Sequence, residues 1–247
     1  MHWMLRVTAA PVVLIAVFAS AARAQSDSEL GGWTALMVTT FGALPPLVTP
    51  AMAGFSIVEV QAGNSIEARF GRWSFGESEE PWSNFGIGGR GEHIGIALGY
   101  GMCEGCDDGV MMAGMDYEWV LTEPRTDAPP SLGSFVVALR PAGGFAIATG
   151  EGTTSAVSLA LDIPVSFPVA VRETSRLAAF IAPGVGYGRF STSDEEGNDE
   201  NGRGMRPSVA AGIAFVVPAG FGFHLGWRKI FIKDGPSVFG VGLSYGG

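Results

Sequence analysis

Ser237 to Tyr245 reads SVFGVGLSY and separates by parity, with Val238, Gly240, Gly242 and Ser244 on one side and Phe239, Val241, Leu243 and Tyr245 on the other. A two-residue period belongs to a β-strand, whose successive side chains point to opposite faces. One face is bulky and apolar; the other has almost no volume. A wall strand of a narrow membrane barrel needs this pattern, because its bulky face meets lipid and its small face meets a crowded interior.

Working toward the N-terminus, the same alternation recurs. The Lys233-Asp234-Gly235 turn joins the closing strand (236–246) to one over 220–232, which sets Phe221, Phe223, Leu225 and Trp227 against Gly222, His224, Gly226 and Arg228. Behind the Pro218-Ala219-Gly220 turn lies a strand over 205–217. It is preceded by the polar, acidic stretch Ser191–Gly204 (STSDEEGNDENGRG), which reads as a loop. Further strands are expected over 177–190, 154–165, 134–148, 110–121, 93–102, 84–90 and 66–75, with a connection from Phe167 to Arg176 and a bulge at Pro141-Ala142-Gly143-Gly144. The reading is all-β, an antiparallel up-and-down transmembrane β-barrel of about ten strands over residues 55–247. WTALMVTTF (33–41) and FSIVEVQA (55–62) could raise the count to twelve, eight is the lower alternative, and residues 25–54 are an N-terminal extension or an extra strand. With the last strand running down to the periplasm, the acidic loop and the loops after Cys103 and after Phe75 face outward.

Residues 1–24 carry Arg6, an apolar run VVLIAVFASAA and Ala22-Arg23-Ala24, which read as a cleaved export signal. A membrane anchor needs roughly 20 apolar residues, more than this run supplies. Losing Arg6 and Arg23 takes the formal charge from −9 to about −11. An acidic exported chain lacks the basic footprint of nucleic-acid binding. Thirty-seven glycines suit a tight barrel better than helices, where each costs about 1 kcal/mol relative to Ala. The best helical candidate for a span, Gly32–Val48, is broken by Pro45 and Pro46.

The export signal together with LAAFIAPGVGYGRF (177–190), AGFGFHLGWRKIF (219–231) and the closing VFGVGLSY resembles the small outer-membrane β-barrels of Gram-negative-type bacteria, the family around the OmpA transmembrane domain and OmpX. The resemblance implies a barrel inserted into outer-membrane lipid by the outer-membrane assembly machinery, and it transfers no catalytic residue. This chain departs from the pattern in that Gly246 and Gly247 follow Tyr245. A soluble sandwich or lipocalin-like barrel is the competing fold, and it would turn its apolar faces inward.

Projected onto the small face, the strands place Glu67, Arg69, Asp116, Glu118, Arg140, Asp162, His224 and Arg228 in the interior. Unpaired charge in a low-dielectric space is costly, so these groups are expected to form a paired network. A conduction path is the alternative. A catalytic His224 with Asp162 or Asp116 is a third reading, but the export-processed chain keeps only His93 and His224 to serve as a base. Cys103 and Cys106 are the only cysteines, and after export a disulfide is the natural state, with free thiols or metal as alternatives. A lone CxxC offers too few ligands for zinc, and no metal or cofactor is expected. Asp194, Glu195, Glu196, Asp199 and Glu200, with Asp107 and Asp108, could gather divalent cations or a surface partner. The expected role is a non-enzymatic outer-membrane barrel with a narrow or plugged lumen. A small-solute pore is the first alternative and a membrane-embedded hydrolase or acyltransferase the second.

Overall fold

The computed structural model describes residues 65–74, 82–91, 93–103, 109–121, 136–149, 152–172, 175–194, 199–217, 219–231 and 237–246. The export segment 1–24, residues 25–54 and both strand candidates before Ser65 lie outside this set. Twelve strands follow in order: β1 Ser65–Ser74, β2 Trp82–Arg90, β3 Ile94–Cys103, β4 Gly109–Tyr117, β5 Trp119–Val120, β6 Val136–Thr149, β7 Gly152–Asp162, β8 Val165–Arg172, β9 Ser175–Asp194, β10 Asp199–Val216, β11 Phe221–Ile230 and β12 Ser237–Gly246.

They build ten walls. β4 and β5 share one register on β6, running from Gly109↔Thr149 to Val120↔Ala138, and so form one wall strand interrupted at Glu118. β7 and β8 likewise share one register on β9, interrupted at Ile163-Pro164. All pairings are antiparallel between neighbours, β9 pairs with β10, and β12 pairs with β1 from Ser65↔Gly246 to Ser74↔Ser237. The ring therefore closes, and no wall presents a free edge along its whole length. Ten is the count expected from the alternation.

Three expectations on the way round need correction. Ser191–Asp194 and Asp199–Gly204 are strand rather than loop: β9 runs to Asp194, β10 starts at Asp199, and the two pair without a break from Asp199↔Ser193 down to Val216↔Arg176. Backbone hydrogen bonds need no apolar alternation, so a polar hairpin continues the ladder beyond the greasy band. The segment after Phe167 is also strand as far as Arg172, with a register shift between Pro168 and Ala170 where proline has no N–H to donate. No bulge interrupts β6 at Pro141. Instead the ladder to the next wall lapses between Asp116↔Ala142 and Trp119↔Leu139, and Glu118 N–H donates to the His93 carbonyl at 2.8 Å.

The barrel is sheared. Followed from Ala211 through Trp227, Phe239, Arg72, Ser83, Met102, Gly109, Thr149, Thr153 and Ser193, the register comes back to β10 at Asp199, twelve residues from its start. A stagger of this size in a ten-strand ring goes with a strand tilt of roughly 40°. It also explains why β9 and β10 are the longest strands, since they must meet both ends of the advancing register.

Inside and outside are inverted relative to a soluble domain. Among the described residues thirty large apolar or aromatic side chains are exposed, including Ile96, Leu98, Leu159, Phe239 and Leu243. The largest fully buried side chains are Arg140, His224, Glu118, Val238 and Asp162. On β12 the alternation is resolved as read: Val238, Gly240, Gly242 and Ser244 are buried, whereas Phe239, Leu243 and Tyr245 are exposed. Apart from the polar groups, the interior is largely alanine, with Ala146, Ala182 and Ala214 completely buried.

Candidate functional site: the charged belt across the lumen

Among the described residues two ion-pair assemblies occupy the interior, and each depends on a glycine. In the first, Arg140 on β6 donates to Asp162 Oδ2 at 2.8 Å from the adjoining wall strand. Arg228 on β11 reaches the other oxygen, Oδ1, at 2.6 Å, and also donates to Ser208 Oγ at 3.0 Å. Both oxygens of one carboxylate are thus held by guanidinium groups arriving from different walls, the strong charge-assisted form of hydrogen bond. The path from β11 to β7 passes β10 and β9, where the register sets Ser208 and Gly184 in line with Asp162. A Cβ on Gly184 would stand 2.0 Å from Asp162 Oδ1, so the carboxylate occupies the place of a missing side chain.

The second assembly repeats the device. Arg90 on β2 pairs with Asp116 on β4 across the intervening strand β3. The residue between them is Gly95, whose Cβ would lie 2.6 Å from Asp116 Oδ2 and 2.9 Å from Arg90 Nη2. Glu118, also buried, follows on the same wall as Asp116, and the shared register of that wall on β6 sets it at the level of Arg140. The two assemblies thus lie side by side as a belt. Arg90, Asp116, Glu118, Arg140, Asp162 and Arg228 are all buried, three arginines among three carboxyl groups. Opposite charges held together are what lets charge persist in a low-dielectric interior.

Of the interior residues expected from sequence, the structure brings together Arg140, Asp162 and Arg228, and sets Asp116 and Glu118 beside them. His224 is completely buried on β11, opposite Gly242 of β12. Glu67 and Arg69 stand in register with Ser244 and Gly242, and their side chains fall outside the described set. Arg90 and Asn84, both buried, were not among the expected residues. The signal was present in WSNFGIGGR, where Asn84, Gly86, Gly88 and Arg90 share one parity. Cys106 and the Cys103 side chain lie outside the described residues, as do Glu195, Glu196, Asp107 and Asp108. Among the described residues no group of three His, Cys, Asp or Glu side chains is placed to hold a metal ion.

A closed antiparallel ring with an apolar outer band and a polar interior pairs its strands side to side while meeting lipid on its outside, one of the two solutions open to a membrane-spanning chain. This is a ten-stranded transmembrane β-barrel. The barrel crosses with strands; among its described residues no helix is long and apolar enough to do so. No family model and no curated protein matches the chain. Solved structures similar to the barrel include the β-domain of the Bordetella autotransporter BrkA, at 11% identity and TM-score 0.47, covering 76% of this chain and 100% of that one. The N-terminal β-barrel domain of Pseudomonas aeruginosa OprF is similar at 11% identity and TM-score 0.33, covering 75% and 99%. The outer membrane enzyme PagL is similar at 11% identity and TM-score 0.34, covering 73% and 98%. Likeness at this level assigns the barrel no activity.

Proposed function

We propose that the barrel is a non-enzymatic element of the outer membrane with an occluded lumen, serving envelope structure or contacts at the surface. The observation that carries this reading is the Arg228–Asp162–Arg140 bridge, which spans five successive walls, from β11 through β10, β9 and β7 to β6, and ties the interior to itself. A conducting pore needs charged groups whose free valence faces water, whereas here both oxygens of Asp162 are taken. A hydrolase needs a base that substrate can approach. His224 is completely buried, and the two acids that could orient it are engaged by arginines.

Planar-bilayer recording tests the reading. The wild-type barrel is expected to be electrically silent at moderate voltage, and Arg228→Ala, which removes the bridge, to raise the frequency of small openings. Stable ion currents from the wild-type protein would overturn the occluded-lumen reading.

A further inference from the structure

The outer surface of the tall β9–β10 hairpin changes character at one level. Along β9 the lipid-facing parity runs through the exposed Ile181 and Tyr187 to Arg189; along β10 it runs through Ile213 and Met205 to Arg203. Tyr187 is in register with Met205, and Arg189 with Arg203, so the two guanidinium-bearing residues are direct cross-strand neighbours. The adjoining wall continues the lower row, with exposed Leu159 in register with Tyr187. Both arginines are exposed. Like charges set directly opposite on one face of a sheet repel. Two cations thus stand side by side above the apolar row of these two strands.

We propose that Arg189 and Arg203 form a docking site for the phosphate headgroup of an anionic membrane lipid, whose acyl chain lies along the row Leu159, Tyr187 and Met205 beneath it. Guanidinium forks match phosphate oxygens in pairs, and a phosphate between two arginines removes their mutual repulsion. The apolar row selects a lipid over a free anion, because only a lipid carries a chain to lay against it. The leaflet concerned is the one at the end opposite Ser65 and Gly246, toward which β9 rises and from which β10 descends.

The experiment is a titration of the full-length barrel in zwitterionic detergent with phosphatidic acid and with phosphatidylcholine, read by native mass spectrometry. Wild type is expected to retain phosphatidic acid in preference to phosphatidylcholine. Arg189→Gln with Arg203→Gln is expected to weaken phosphatidic acid binding about tenfold, whereas the Lys pair keeps most of it. Equal retention of the two lipids by wild type would overturn the proposal without recourse to any variant. So would a Gln pair that binds as wild type does, or displacement of the lipid by an equal concentration of inorganic phosphate, which would make free phosphate the ligand.

Discussion

At the residue scale Asp162 is the group on which most depends. Two buried arginines from different walls share its carboxylate, so removing it strands both cations in a space with little water. Asp162→Ala is expected to lower the stability of the folded barrel by about 3–5 kcal/mol, the usual cost of breaking a buried pair by removing one partner. Urea unfolding of protein refolded into lipid vesicles measures it, and a loss below about 1 kcal/mol would mean the bridge is not the strut described. The candidate interior was legible to the extent that a charged residue sat on the small parity of a well-alternating strand, as Asp116, Glu118, Asp162 and Arg228 do. Arg90 escaped because β2 is glycine-rich and its one charge comes at the end, beside a turn, where a solvated arginine is equally natural. The roles of Gly95 and Gly184 could not be read from sequence at all. Which glycine lies between which two charges is a property of the register, and the register joins residues far apart along the chain.

At the element scale the strands divide into a stretch that faces lipid and, on β9 and β10, a stretch that continues beyond it. Alternation marks only the first kind. Hence the walls are readable from their apolar parity except at Phe167–Arg172, where Pro168 reads as a connection, and at Ser191–Asp194 and Asp199–Gly204, which read as loop because nothing apolar marks them. The same reasoning yields a test of the outer face. Leu98 is 61% exposed in the middle of β3, and nothing but lipid can cover it. Leu98→Arg is expected to cost about 2–4 kcal/mol when the barrel is refolded into vesicles, as for charge near the bilayer midplane. A change within about 0.5 kcal/mol, normal for a water-exposed surface site, would contradict the assignment of this face to lipid.

At the scale of the whole molecule most of the apolar mass is outside: among the described residues the interior holds charge, alanine, glycine and only a small apolar cluster around Phe180. Stability then comes largely from the closed hydrogen-bond ladder, the charged belt and the surrounding bilayer, so unfolding should be all-or-none and slow without heat. Unboiled protein is expected to migrate differently from boiled protein on a detergent gel after outer-membrane fractionation. Identical mobility, with the protein in the soluble fraction, would refute a closed barrel in a membrane. The shear has a further consequence, for shape. β11 keeps company with β10 only up to Ser208, so Asp199–Arg206 rise past it for about 25 Å of strand. Among the described strands that end is therefore slanted, high at β9 and β10 and lower at β11 and β12, and the wall has a front and a back. Anything approaching along the membrane plane from the β9–β10 side meets a raised lip of strand.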